Sequence, residues 1–367
     1  MRLKEALFCY AREIGIDLMG ITGAEAFPAA RQTLADRRRQ GLYAPFAPRD
    51  LVRACDPALS LPGARSIIAV GLGYYQGKLS PPPGHRGKLA RIAWGEDYHR
   101  VVGAKLTLLQ DFLQREVPGS RNLAFVDTGP LLDKEVARRA GLGWFGKNTL
   151  LLTRLGSWVV LGGILTTIEL PPTSPQGKDC GACDLCLRAC PTGALLAPGV
   201  LDPDRCLSCL TQQKGFFPLE LRRALGLRLY GCDTCQEVCP HNRHAPVTSE
   251  PAFFPRGQEH RPQLAELLVM NNREFKGAFG ASAAGWRGRT VLQRNALLAV
   301  GNLGEPDFLP LLKNCLQDSR PIIRGHGAWA LGRLGGRRAR EALERALAGE
   351  GDPQVQREIR LALAGNI

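Results

Sequence analysis

Cys180, Cys183, Cys186 and Cys190 form a C-x-x-C-x-x-C-x-x-x-C-P run, and Cys232, Cys235 and Cys239 form a second, C-x-x-C-x-x-x-C-P. Thiolates at this spacing, closed by Cys-Pro, are the ligand pattern of bacterial ferredoxin-type iron–sulfur clusters. Three closely spaced cysteines wrap one cubane, and the fourth serves a neighbouring one. The second run is one ligand short, and either Cys206 or Cys209 lies upstream to complete it. Eight cysteines then ligate two 4Fe–4S clusters, and the chain moves electrons one at a time. A zinc ribbon would use two C-x-x-C knuckles without the C-x-x-x-C-P endings. Disulfide frameworks suit small secreted domains, whereas this chain has 367 residues and opens Met-Arg-Leu-Lys without an apolar leader. Cys9, Cys55 and Cys315 stand alone and are expected to be small buried hydrophobes.

The length predicts two or three domains with ample core. No apolar run reaches the roughly 18 residues that a membrane helix requires, and residues 158–165 read as a short strand. The expected setting is therefore a reducing cytoplasm with no membrane association. A formal net charge of +14 favours a polyanionic partner, with nucleic acid the first candidate.

The predicted fold is α+β and multidomain. Residues 1–172 form an α/β domain, 173–250 a ferredoxin-like two-cluster domain, and 251–367 a linker followed by a HEAT-like α-solenoid. Leu3, Ala6, Leu7, Tyr10, Ala11 and Ile14 recur at helical spacing, so the chain opens with an amphipathic helix. Ser66-Ile67-Ile68-Ala69-Val70 and Leu123-Ala124-Phe125-Val126 read as buried strands. A helix is expected over 133–140, with Gly141 as its left-handed cap. No G-x-G-x-x-G follows a strand, which leaves a nicotinamide-binding unit unsupported. Further on, Asn295-Ala296-Leu297-Leu298-Ala299-Val300-Gly301-Asn302-Leu303-Gly304 recurs 31 residues later from His326 to Gly335, and a degenerate third copy runs through 355–364. Helical pairs at this period mark a solenoid. Arg320, Arg324, Arg333, Arg337, Arg338, Arg340 and Arg345 gather there and suggest a ridge that tracks phosphates.

Asp127-Thr128-Gly129-Pro130 follows a predicted strand. A carboxylate at a strand's carboxyl end before a Gly-Pro turn suits a general acid, and it equally suits a turn cap. Asp97-Tyr98-His99 is a second polar cluster in an otherwise apolar region, where His99 by itself reads as a hydrogen-bonded structural histidine.

Several segments resemble the epoxyqueuosine reductases, cobalamin-dependent iron–sulfur enzymes of tRNA modification. They are Arg53-Ala54-Cys55-Asp56-Pro57, Ala93-Trp94-Gly95-Glu96-Asp97-Tyr98-His99, Phe125 to Pro130, and Ala140-Gly141-Leu142-Gly143-Trp144-Phe145-Gly146-Lys147-Asn148. Cys180 to Pro191, Arg205-Cys206-Leu207-Ser208 and Tyr230 to Pro240 match as well. The resemblance implies reduction of epoxyqueuosine to queuosine at the tRNA wobble position. Cobalamin reduced by two 4Fe–4S clusters would act on the substrate, Asp127 would supply the proton, and an external low-potential donor would supply electrons. Burial beside the macrocycle should raise the pKa of Asp127 and keep it protonated. The same resemblance implies that Asp97, Tyr98 and His99 line the cobalamin and substrate cavity, with Arg53, Lys147 and Ser208 as further cobalamin contacts. It assigns Cys180, Cys183, Cys186 and Cys239 to one cluster and Cys190, Cys206, Cys232 and Cys235 to the other. His99 is not expected to ligate cobalt, because Asp97 to Gly103 is one residue too long for D-x-H-x-x-G. Two rival readings are a reductive dehalogenase-like cobalamin enzyme and a non-catalytic ferredoxin-type electron carrier.

Overall fold

The structure, a computed structural model, describes residues 2–257 and 260–367. Its contacts divide the chain into two units. One comprises Met1–Leu79, Glu96–Asp204 and Asp233–Phe254, and the other Ser80–Gly95, Arg205–Cys232 and Pro255–Ile367.

The first unit is built on a four-stranded sheet of β1 (Leu18–Gly23), β2 (Ser66–Gly73), β3 (Asn122–Phe125) and β4 (Val159–Thr166). The order is β1-β2-β4-β3, and every neighbouring pair is antiparallel. β2 is buried along its whole length, which explains its unbroken Ile-Ile-Ala-Val run where a half-exposed strand would alternate. Helix α1 (Arg2–Glu13) is the amphipathic opening helix, burying Leu7 and Ala11. Helix α2 (Leu51–Cys55) is capped by Asp50, whose Oδ1 accepts from the N–H groups of Val52 and Arg53.

Two helices position the polar residues of this unit. Helix α3 (Tyr98–Glu116) lies on the sheet through Val102 and Leu106, and it comes so close to β4 that a Cβ on Gly162 would stand 2.8 Å from Val102 Cγ1. Asp97 caps it by accepting from the His99 N–H at 3.0 Å, so Tyr98 and His99 occupy its first turn. Helix α4 (Asp133–Arg139) buries Val136 and Ala137 in a core shared with Ile67, Phe125, Leu142 and Leu165. It ends one residue before the expected boundary, and Gly141 takes φ 77° as its left-handed stop.

In the second unit the repeat forms helices. Arg289–Leu303, Pro321–Leu334 and Pro353–Leu363 stack in succession, with Leu309–Cys315 and Arg337–Gly349 packed beside them. The two equivalent glycines have a packing reason. A Cβ on Gly301 would meet the Trp329 ring at 2.5 Å, and one on Gly332 would meet Ala362 at 2.7 Å. The expected arginine ridge is only partly a free surface. Arg320 is paired with Asp318 and Arg324 with Glu350, both at 2.7 Å and half-buried or deeper, so these two guanidinium groups fasten the solenoid to itself. Arg337 and Arg340 face Glu341 and Glu344 along one helix. Arg338 and Arg345 are exposed.

Of the isolated cysteines, Cys55 is buried as expected. Cys315 is half-buried, with its thiol pushed up to about 11 by burial, whereas Cys9 is exposed, because its position lies on the outer face of α1.

Candidate active site

β3 delivers Asp127 and α3 delivers Tyr98 and His99, and the three side chains meet. Tyr98 Oη donates to Asp127 Oδ2 at 2.5 Å, and His99 Nε2 stands 3.6 Å from the same oxygen. His99 Nδ1 faces Asp97 Oδ1 at 2.7 Å, and the Tyr98 and His99 rings stack with centroids 4.2 Å apart. The hydrogen-bonded structural role expected for His99 is present, and its ring also reaches Asp127. One nitrogen is fixed by the cap carboxylate and the other is turned towards Asp127.

Asp127 has φ 45°, a left-handed conformation rare outside glycine, although Asp tolerates it better than most residues. Its N–H donates to Asp133 Oδ2 at 2.5 Å. The Asp127 side chain keeps 61% of its surface accessible, yet burial still opposes its charge. Asp127 is thus open to solvent on one side, with Tyr98 and His99 against it on the other. His99 Nε2 and Asp133 Oδ1 are buried there without hydrogen-bond partners.

The electrostatics reverse one expectation. Asp127 is held below the ordinary carboxyl range, first by His99, then against the opposing effect of burial by Tyr98 and by the charges of His99 and Lys134. His99 is correspondingly raised to about 9 by the facing carboxylates of Asp127 and Asp97. At neutral pH the proton of this pair sits on the imidazole. The raised carboxyl belongs to Asp133, which burial pushes up to about 7. Sequence reasoning missed Asp133 as a site residue because a carboxylate in a helix's first turn is ordinary helix chemistry. Its only signal was its position six residues after Asp127.

The remaining site residues are distributed differently. Lys147 Nζ donates to the Gly181 carbonyl at 2.7 Å, within the first cysteine run. Arg53 is exposed on α2, and no hydrogen bond or ion pair joins its side chain to the Asp127 group. Ser208 stands in the second unit on a short helix, where its carbonyl accepts from Thr211 and Gln212.

Among the cysteines, Cys186 and Cys239 are raised, first by burial and in part by the charge of their neighbours: Cys239 and Cys180 act on the first, Cys180 and Cys183 on the second. These four thiols therefore form one electrostatic group, a fit to a cubane in which each thiolate takes its own iron. Among the described residues no three His, Cys, Asp or Glu side chains converge as they would on a single metal ion. Cys190 is opposed by burial yet net lowered by the backbone and hydroxyl of Thr192 and the N–H groups of Leu195 and Ala194, which favour the thiolate a cluster needs. Cys209 is buried, with Gln213 Nε2 donating to its sulfur at 3.4 Å, whereas Cys206 sits at the start of the same short helix.

Comparison with known proteins agrees with this geometry. The epoxyqueuosine reductase QueG family model matches residues 54–128, a 4Fe–4S double cluster binding domain matches 179–242, and HEAT repeats match 288–364. An epoxyqueuosine reductase of Listeria monocytogenes is 44% identical, covering 97% of this chain and 96% of that protein. One of Bacillus subtilis is 42% identical over 98% and 94%. A crystal structure of epoxyqueuosine reductase with an epoxyqueuosine-modified tRNA-Tyr stem loop superposes with a TM-score of 0.97 at 42% identity, covering 99% of this chain and 98% of that one. A Bacillus subtilis epoxyqueuosine reductase whose aspartate catalytic loop is swung out of the active site superposes with a TM-score of 0.96 at 41% identity, over 99% of each chain.

Proposed function

The chain belongs to the epoxyqueuosine reductase family, and we infer from that premise that Asp127 is the point at which it delivers a proton to the departing epoxide oxygen. It is an oxidoreductase that reduces epoxyqueuosine to queuosine at the wobble position of tRNA, and the dehalogenase-like and electron-carrier readings give way to that activity. The reaction consumes two electrons and two protons and releases the epoxide oxygen as water.

Cobalamin and two 4Fe–4S clusters, when bound, supply the electrons and the carbon–oxygen chemistry. Cys180, Cys183, Cys186 and Cys239 would hold one cluster, and Cys190, Cys206, Cys232 and Cys235 the other. Asp97, Tyr98, His99, Asp127, Lys147, Arg53 and Ser208 are proposed to line the cobalamin and substrate site. The solvent-open Asp127 carboxylate, with buried polar atoms of His99 and Asp133 beside it, suits a bulky group lying across it.

The observation that carries the reading of Asp127 is its shared contact with Tyr98 and His99. In the free site Asp127 is ionised and His99 protonated, so the pair stores a proton without Asp127 itself being neutral. Covering this carboxylate would remove water from Asp127 and favour its neutral form, with His99 as the adjacent source. Tyr98 fixes the carboxylate that receives the proton, and Asp97 holds the imidazole from behind. The proposed partners are a tRNA carrying epoxyqueuosine and an external low-potential electron donor, in a cytoplasmic setting. No helix among the described residues is long and apolar enough to cross a membrane.

The direct test is anaerobic turnover of an epoxyqueuosine-containing tRNA stem loop, read by mass as loss of one oxygen per modified base. A protein loaded with cobalamin and iron that leaves the stem loop unchanged would refute the reading. Iron content tests the ligand assignment: about eight irons per chain are expected from two four-iron clusters. Cys206→Ser should lower that number and Cys209→Ser should leave it unchanged. The opposite result exchanges the two cysteines.

A further inference from the structure

Among the described residues, Asp127 (φ 45°) and Thr149 (φ 67°) are the two non-glycine residues with a left-handed backbone. Consecutive side chains in the first turn of α4 reach both. Asp133 Oδ2 accepts from the Asp127 N–H at 2.5 Å, and Lys134 Nζ donates to the Thr149 carbonyl at 3.0 Å. A left-handed residue is strained and persists only where its surroundings hold it, the more so for β-branched threonine. The cap position of this helix, Leu132, carries no side-chain bond.

The two strained residues belong to separate segments. Asp127 opens the bend after β3, where Gly129 lies so close to Phe125 that an added Cβ would stand 2.5 Å from Phe125 Cβ. Thr149 closes a turn over 146–149 by donating its N–H to the Gly146 carbonyl at 2.9 Å. That turn carries Lys147. Helix α4, anchored in the core by Val136 and Ala137, is the rigid body between the two segments.

We propose that Asp133 and Lys134 are positioning residues, a clamp that holds the Asp127 loop in its working place and fixes it relative to the Lys147 turn. The proposal rests on the reading of Asp127 as the point of proton delivery. The charged groups facing Asp133 are Asp127, which raises its carboxyl, and His99, which lowers it, and Lys134 follows on its own helix. Because burial places the Asp133 carboxyl at about 7, the clamp gains its full negative charge only above neutrality. An ionised carboxylate is the stronger acceptor for an N–H, so the hold on Asp127 tightens as pH rises through that value.

The test uses the cofactor-loaded enzyme with Asp133→Ala, Asp133→Asn and Lys134→Met. Hydrogen–deuterium exchange is read on peptides covering 126–132 and 146–149. Asp133→Ala removes the acceptor, so exchange over 126–132 should quicken by about tenfold or more, as loss of a hydrogen bond to a charged group predicts. Asp133→Asn keeps a neutral acceptor oxygen, so its exchange should match the parent below about pH 7 and lack the further slowing the parent shows above it. Lys134→Met should quicken exchange over 146–149. In turnover, Asp133→Ala should lower kcat by about 10²-fold through misplacement of Asp127, with KM for the stem loop little changed. Asp133→Asn should retain most of kcat and lose an ionisation near pH 7 from the rate profile. Parental exchange over 126–132 in Asp133→Ala overturns the clamp, and quickened exchange with unchanged kcat overturns its part in the reaction. Should Asp133→Ala fail to fold, an ionisation near pH 7 that persists in Asp133→Asn, or parental exchange over 146–149 in Lys134→Met, overturns it instead. Full activity in Asp127→Asn would remove the underlying reading while leaving the exchange results standing.

Discussion

Both units bury charged and titratable groups, and they treat them in opposite ways. In the second unit Arg294 has five N–H donors and makes five hydrogen bonds. These go to the carbonyls of Leu210, Gln213 and Gly215 and twice to Asn295 Oδ1. Arg222 spans both oxygens of Glu358 at 2.7 Å and gives its Nε–H to the Phe217 carbonyl. His326 accepts from the Phe217 N–H and bonds the Ile322 carbonyl through Nδ1, and burial keeps it neutral. In the first unit, Asp133 Oδ1 is buried without a hydrogen-bond partner, His99 Nε2 reaches Asp127 only at 3.6 Å, Asp127 is strained, and the pKa values of His99, Asp127 and Asp133 are displaced in different directions. Fully hydrogen-bonded buried charge holds a fold together, whereas incompletely satisfied charge open to solvent is a site poised to accept something.

The largest effect that this contrast predicts is at Asp127. Asp127→Asn or Asp127→Ala should keep iron and cobalamin content while lowering the rate of epoxide reduction by about 10²–10⁴-fold, the usual worth of general acid catalysis. Thermal stability should change little in Asp127→Asn and fall in Asp127→Ala, because alanine tolerates a left-handed backbone less well than aspartate and cannot accept from Tyr98. Parental turnover with intact cofactors would erase the distinction between the two regions.

The counterpart in the second unit is Glu358. Glu358→Ala strands the Arg222 guanidinium, which is 1% exposed, and breaking a buried pair from one side costs about 3–5 kcal/mol. The loss should appear as a lowered melting temperature, whereas replacing both partners by apolar residues should recover most of it. A single substitution that leaves melting unchanged would show that this pair contributes specificity and little stability.

How much of this could be read from the sequence differs along the same line. The cysteine runs, the repeat and the strands over 66–70 and 123–126 were legible because spacing and periodicity are local and chemically narrow. Asp127 was legible as a strand-end carboxylate, and Asp97-Tyr98-His99 as a polar cluster. Their meeting was not, because it depends on α3 lying across the sheet at Gly162. The raised pKa expected of Asp127 belongs to Asp133 because His99 acts on Asp127 at hydrogen-bond range, whereas on Asp133 burial outweighs the charge of His99. The arginines over 320–345 read as a ridge in one dimension, but Asp318 and Glu350 claim two of them across helix turns that periodicity does not encode.

A smaller, sharper test is the titration of His99. Its folded pKa of about 9 lies above the ordinary 6.5. The stabilisation it lends is therefore fully present below about 6.5 and is lost as pH rises through about 9. Removing the first cause with Asp127→Asn should move the His99 resonance, followed by NMR, towards the ordinary value. Asp97, the second cause, would keep it from returning completely. Turnover that draws its proton from this pair should fall as pH passes about 9. A His99 titration unmoved by Asp127→Asn would break the coupling on which the stored proton depends.

The smallest expected effect lies on the second unit's surface, where arginines that look alike in sequence should behave differently. Arg324 is committed to Glu350, so Arg324→Glu should act as a stability mutant, placing two carboxylates together in a half-buried position. Arg338 and Arg345 are exposed, and reversing them should leave the melting temperature nearly unchanged. If these two track tRNA phosphates, each contributes to counterion release, and the double substitution should flatten the salt dependence of stem-loop binding by roughly two in log–log slope. A short stem loop and a full tRNA make this decisive. Loss confined to the full tRNA places the contact away from the anticodon, and loss with both places it near the modified base. A slope unchanged in both assigns these arginines to solvation alone. The positive charge that steers the substrate would then have to come from cations outside the solenoid, of which the first unit supplies many.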